Sequence, residues 1–220
     1  ATYDGSGKAK GVKLYVDGVE VPVKDQFLWY EFWGSERTFP HYSAAWAWAF
    51  NAPFKWCKQV ASHFGGTAQG LAMSWPGHIK DVGGIRTQFH HIIDIAPTIL
   101  EATGIPQPET INGTPQRAMD GVSMAYTWDK ANANVPSKRT TQYFEMLGNR
   151  AIYHEGWIAC TTPVNLPWEL NTKPPPDVIS GYKWELYNTK EDPTQFEDLA
   201  EKMPEKLKAL QDLFYVEAAK

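Results

Sequence analysis

"TQYFEMLGNRAIYHEGWIACT", residues 141–161, is where the pattern of the chain changes. The stretch holds short runs rich in aromatic and β-branched residues, and a third run, "YKWELYN" (182–188), follows after Pro174, Pro175 and Pro176. Runs of this kind bounded by turn residues are strand signals. Successive strands joined by turns predict a small antiparallel sheet. Beyond them, "PEKLKALQDLFYVEAAK" (204–220) has Pro204 at its start and Leu207, Leu210 and Phe214 on one face. That spacing predicts an amphipathic terminal helix.

Working back from this block, residues 105–139 are rich in Pro, Asn and Gly and read as surface loop. Ahead of them stands "TQFHHIIDIAPTILEATGIP" (87–106). Phe89, Ile92, Ile93, Ala96, Ile99, Leu100 and Thr103 recur at helical spacing. Pro97 predicts a kink or a restart of the helix, and Gly104 with Pro106 predicts its stop. "GLAMSW" (70–75), closed by Pro76-Gly77, is an apolar run suited to a buried strand. Strand, loop and helix in this order predict an α/β fold. "SAAWAWAF" (43–50) predicts one or two helical turns inside an irregular aromatic stretch, 25–56, broken by Pro40 and Pro53. At the N-terminus, "VKLYVDGVEVPV" (12–23) alternates around Asp17-Gly18, the signature of a β-hairpin.

The 220 residues suffice for one large domain or two small ones. With 43% hydrophobic and 21% charged residues the composition is globular. A net charge of −4 gives no footprint for nucleic acid, and no apolar run reaches the roughly 20 residues of a membrane span. No signal-peptide pattern is visible at the N-terminus. Cys57 and Cys160, the two cysteines, are one bridge or two buried thiols, and no Cys/His spacing matches a zinc site. Ten tryptophans contribute to aromatic clusters at 27–56 and 143–187, suited to core packing and in part to a sugar- or aryl-binding wall.

Four stretches then carry a resemblance: "HYSAAWAWAFNAPFKWCKQVASHFGGT" (41–67), "WPGHIKDVGGIRTQFHHIIDIAPTILEATGIP" (75–106), "DGVSMAY" (120–126) and "YKWELYNTKEDPTQFEDLA" (182–200). Together they make the chain from about residue 35 onward resemble the C-terminal half of a bacterial arylsulfatase, in the alkaline-phosphatase-like superfamily. Residues 1–23 resemble instead a strand pair of a concanavalin-like, laminin-G-type lectin. The resemblance implies a partial alkaline-phosphatase-like α/β sandwich, with a small C-terminal antiparallel sheet and a terminal helix. It divides the chain into a hairpin segment (1–24), part of a sulfatase core (25–139) and a C-terminal subdomain (140–220).

The activity implied is sulfuric ester hydrolysis, on a sulfated small molecule or carbohydrate, in a periplasmic or secreted setting. Nucleic acid and membrane are not expected partners; an N-terminal part of the enzyme is. Lys58, ahead of Gly65-Gly66, takes the place of the lysine that holds the sulfate. A positioned ammonium there stabilises the charge that develops on the sulfuryl oxygens. His63 is the second candidate for catalysis and His41 a candidate for substrate binding. His90 and His91 suit helix packing, and Asp94 suits a cap. Where many relatives carry Arg after Gly-Gly-Thr, this chain has Ala68. The family also implies a formylglycine nucleophile and a calcium or other divalent ion. Neither cysteine fits the Cys-x-Pro-x-Arg context, since "KQVA" follows Cys57 and "TTPV" follows Cys160, and there is no double Asp and no Asp-Asn-Gly. The alternative function is a carbohydrate-binding module without chemistry.

Overall fold

The computed structural model describes residues 2–3, 9–11, 14–16, 19–32, 35–37, 44–165, 177 and 179–220. The fold is mixed α/β. Its strands are β1 (Thr2–Tyr3), β2 (Ala9–Gly11), β3 (Leu14–Val16), β4 (Val19–Val21), β5 (Thr110–Ile111), β6 (Thr114–Pro115), β7 (Thr141–Met146), β8 (Asn149–His154), β9 (Trp157–Thr161) and β10 (Trp184–Asn188). Its helices are α1 (Ala44–Asn51), α2 (Phe64–Thr67), α3 (Ile95–Thr103) and α4 (Pro204–Ala218). Among the described residues, no helix is long and apolar enough to cross a membrane.

The sheet expected from residues 141–188 is four-stranded and antiparallel, in the order β10-β9-β8-β7. Leu147-Gly148 and Glu155-Gly156 link its first three strands, and all four residues have positive φ. Two central residues of that kind make a turn whose twist matches the flanking strands, and Gly supplies the second without steric cost. Side chains alternate between two faces. Ile152, Ala159, Trp184 and Leu186 face α4 and bury Leu210 and Phe214 against themselves. Tyr143 stacks on Phe214 at 4.8 Å, and Trp184 meets the same ring edge-on at 5.4 Å. Ala151, Ile158, Cys160 and Tyr187 face the other way, toward Phe64 and Phe144. The sheet is therefore covered on both sides, by α4 and by the segment that carries α2.

N-terminal to this block, β3 and β4 pair antiparallel around the expected turn, whose Asp17 and Gly18 lie outside the described residues. α1 confirms helical turns near 43–50. The Pro174–Pro176 run also lies outside the described residues.

Two expectations need correction. Gly70–Trp75 forms no strand, and its residues are exposed except half-buried Trp75. A strand needs a partner for its backbone groups, and no described strand pairs with this stretch. The apolar stripe of residues 89–103 is the second. Ile92–Asp94 forms a 3₁₀ turn, α3 follows, and Pro97 lies in the first turn of α3, where its missing N–H costs nothing. The face turned inward is polar: Asp94 and Thr98 are buried, whereas Ile92 is 75% and Ile99 55% exposed. Specific bonds set this orientation. Thr98 Oγ1 donates to the Asp94 carbonyl at 2.6 Å and accepts from Met124 N–H at 2.8 Å. Arg139, two residues before β7, clamps the Asp94 carboxylate through Nε and Nη2.

Thr98→Val should therefore cost about 1–3 kcal/mol, because it strands a buried N–H. Ile99→Ser, on the exposed side of the same helix, should stay within about 0.5 kcal/mol of wild type. Phe214→Ala should cost about 3–5 kcal/mol by opening the α4–sheet core. Urea denaturation of the three variants checks all of these; an Ile99→Ser loss larger than that of Thr98→Val would overturn the assigned facing of α3.

Candidate functional site

The segment from Asn51 to Thr67 folds into a compact loop around one side chain. Asn51 Nδ2 donates to the carbonyls of Trp56 (3.0 Å) and Gly65 (2.8 Å), pinning the two ends together. Trp56 and Gln59 hold positive φ values of 67° and 80°. Such conformations are costly for non-glycine residues and persist where the surroundings over-determine them. The glycine pair is explained by contact: a Cβ on Gly65 would strike the carbonyl oxygens of Lys55 and Trp56, and one on Gly66 that of Val60. Only bare backbone fits behind this loop.

Lys58 lies on the outside of this frame and is exposed. Among the described residues no carboxylate pairs with it and no hydrogen bond joins it to His63. His63 is turned the other way and is 1% exposed. Its Nε2 lies 3.0 Å from Glu185 Oε2, and its Nδ1 lies 2.9 Å from Ser62 Oγ. The Glu185 carboxylate can only accept, so Nε2 carries a proton. His63, the second candidate for catalysis, thus has both ring nitrogens engaged inside the protein. His41 lies outside the described residues. Ala68 is exposed.

The strand period explains the partner. In β10, Trp184 and Leu186 point to α4, so Glu185 and Tyr187 point to the loop. Burial works to raise the Glu185 pKa, yet hydrogen bonds from His63, Thr162 and Tyr187 outweigh it and bring the carboxyl down to about 2. Tyr187 donates to Oε2 at 2.6 Å and accepts from Lys55 Nζ at 3.2 Å. Burial, with Glu185 beside it, drives the phenol pKa far up, so Tyr187 remains a donor. Directly across the ladder from Glu185 stands Cys160. Its Sγ is 3.9 Å from His63 Nε2 and 3.7 Å from Gln195 Nε2. Gln195 Oε1 in turn accepts from Phe64 N–H at 2.7 Å, tying the start of α2 to the same cluster.

A cysteine, a histidine and a glutamate in contact invite a nucleophilic reading, which the geometry excludes. A triad uses both ring nitrogens, one for the nucleophile and one for the acid. Here Cys160 and Glu185 share Nε2. Burial, reinforced by Glu185 and Asp198, also holds the Cys160 thiol well above its ordinary pKa, and burial raises that of Cys57. Both cysteines are free and buried, and no disulfide joins them.

The second polar cluster is a brace. Asp94 accepts from His91 N–H at 2.9 Å and Val122 N–H at 2.7 Å besides Arg139. Burial alone would raise its pKa; the Arg139 and backbone bonds bring it below the ordinary value. Burial lowers the pKa of His90 and of His91, favouring neutral rings, with Asp94 pulling the other way. Asp94 stands at the N-cap of α3 without a side-chain bond to that helix; its carboxylate instead accepts His91 N–H in the capping box of the 3₁₀ turn and pairs with Arg139. Arg139 was not legible as its partner, lying 45 residues downstream in a loop. Glu185, Tyr187, Cys160 and Gln195 were also missed. The one signal was a charged residue inside the apolar run "WELYN", whose parity opposes the two core positions beside it.

No protein-family model matches this chain. A solved structure labelled 6S-sulf, described as concerning a core genetic locus for the metabolism of multiple glycosaminoglycans by Bacteroides thetaiotaomicron, is similar at 18% identity with a TM-score of 0.44. The match covers 61% of this chain and 26% of the other, so the chain spans about a quarter of that protein's length.

The Glu185 carboxylate, held below its unfolded value, stabilises the fold fully above about pH 4.5; that contribution drains as pH falls through about 2. Glu185→Gln should lower the urea midpoint at pH 7 and flatten its dependence between those two pH values. An unchanged acid limb in the variant would show that Glu185 is not the group responsible.

Proposed function

We propose that this chain supplies the sulfate-holding segment of a sulfuric ester hydrolase of the arylsulfatase kind, acting on a sulfated small molecule or carbohydrate. One observation carries the reading beyond the sequence resemblance. The exposed Lys58 sits on a loop whose backbone is fixed from behind by Asn51, by the close-packed glycine pair and by the His63–Glu185 bond. A fixed backbone limits the positions open to the Lys58 ammonium, and a charge-stabilising group that needs little reorganisation supplies the largest catalytic term in many transfers. In this reading His63 positions the loop, and Lys58 meets the sulfate.

The nucleophile and hard cation implied by the resemblance do not fit the residues described. Both thiols are buried and protonated. Among the described residues, the one group of three His, Cys, Asp or Glu side chains with ligand atoms within 4.8 Å of one another includes a thiol, whereas calcium takes oxygen ligands. The chemistry assigned to this chain is therefore binding and charge stabilisation.

An exposed single charge interaction is worth about 0–1 kcal/mol, so the chain alone should bind sulfate weakly and should not hydrolyse 4-nitrophenyl sulfate. NMR titration with sulfate should shift resonances around Lys58 in wild type and not in Lys58→Ala. In an active hydrolase carrying this segment, Lys58→Ala should lower kcat by roughly 10²–10³. Shifts that persist in Lys58→Ala, or an unchanged kcat, would sink the assignment.

A second reading rests on α1. Trp46 and Phe50, 61% and 71% exposed, stack at 5.8 Å and form an aromatic face suited to a sugar ring. Tryptophan fluorescence separates the two: an unsulfated oligosaccharide that quenches as well as its sulfated form would favour the carbohydrate-binding module.

A further inference from the structure

The ladder between β9 and β10 sets two unlike donors side by side, Cys160 and Glu185, and the loop brings His63 down between them. Cys160 Sγ, a His63 ring nitrogen and a Glu185 carboxylate oxygen lie within 4.8 Å of one another. The nitrogen–oxygen edge is 3.0 Å and the sulfur–nitrogen edge 3.9 Å. Bond lengths of about 2.0–2.3 Å at tetrahedral angles require donor–donor edges of roughly 3.3–3.6 Å. These two edges are a few tenths of an ångström from what such an ion needs, one opening and one closing, and the sulfur–oxygen edge lies within 4.8 Å. We propose that His63, Cys160 and Glu185 form a binding site for a borderline-soft divalent cation of the zinc class. The site draws on the same His63 and Glu185 that brace the Lys58 loop, with the ion taking over as their link, and its ligand set differs from the oxygen cage that calcium takes.

The surroundings match what a metal site asks of its outer shell, where hydrogen bonds orient the ligands. Ser62 Oγ stands 2.9 Å from Nδ1, placed to accept a hydrogen bond from Nδ1–H when Nε2 turns to the ion. Thr162 and Tyr187 both donate to Glu185 and fix its carboxylate. The charges close as well. A divalent cation, one thiolate and one carboxylate sum to zero, which a buried setting tolerates. Lys55 and Asp198, the other charged groups acting on the thiol, are opposite in sign. The Glu185 side chain, 13% exposed, marks the side from which an ion enters and on which a fourth coordination position remains.

Protons balance simply. The His63 proton moves from Nε2 to Nδ1 and stays on the ring. Glu185 is already ionised. Cys160 loses its thiol proton as the sulfur–metal bond forms, so one proton leaves per ion bound. Burial opposes a bare thiolate here, and the cation reverses that preference.

Cobalt(II) is the probe, because a cobalt–thiolate bond gives a near-ultraviolet charge-transfer band. Chelator-treated protein titrated with cobalt(II) should develop that band, saturating at one equivalent with one proton released per ion, and zinc(II) should erase it. Cys57→Ser should keep the band and Cys160→Ser should lose it while keeping its circular dichroism. Glu185→Gln should weaken binding at least tenfold. Absence of the band in wild type, its survival in Cys160→Ser, its loss in Cys57→Ser, or displacement of cobalt by equimolar calcium would each overturn the proposal.

Discussion

The bond from His63 to Glu185 is the joint on which the rest depends. It spans 122 residues and ties the loop that presents Lys58 to the last strand of the sheet. Removing one partner of such a bond leaves a buried polar group short of a partner, at a cost of about 1–3 kcal/mol. The loop has little else of comparable strength, because its own backbone includes left-handed turns at Trp56 and Gln59. Asn51 holds its ends, Gln195 holds α2, and the imidazole holds the middle. Remove that central bond and the exposed lysine loses its fixed address.

Asp94 and Arg139 do the corresponding work for α3. They make the helix turn its polar side inward, against the preference of its isoleucines. A charged pair with several further backbone bonds can override an apolar stripe and leave its Ile92, Ile93, Ala96 and Ile99 exposed, since an unpaired buried carboxylate is far costlier than an exposed Ile. Phe89 adds an apolar tie, stacking on Tyr153 at 3.7 Å and linking the approach to α3 with β8.

What could be read from the sequence follows from range. The antiparallel sheet was legible as three strand runs because strand signals are local, but the Glu155-Gly156 turn that splits the middle run into β8 and β9 was not read. α4 was legible because Pro204 and its apolar spacing are local. Gly70–Trp75 misled because an apolar run does not reveal whether a neighbouring strand is there to pair with it. The stripe before Gly104 misled because periodicity gives a helix and its apolar face, not which face a distant arginine will hold. The environment of Lys58 was half legible. The Gly-Gly pair located the loop, but the close backbone approach that requires it shows only in the fold, and the inward turn of His63 depended on Glu185, invisible without the strand register.

The two short turns at Leu147-Gly148 and Glu155-Gly156 have a consequence for the order of assembly. They make every pairing among β7, β8 and β9 local, so little chain entropy opposes their formation. β10 joins only after the chain returns from Thr161 to Trp184, and the His63 loop must come from still farther away. Contacts separated so widely in sequence form late, because their loop-closure cost precedes their reward. The polar junction of His63, Cys160 and Glu185 is thus expected to close after the local meander has paired.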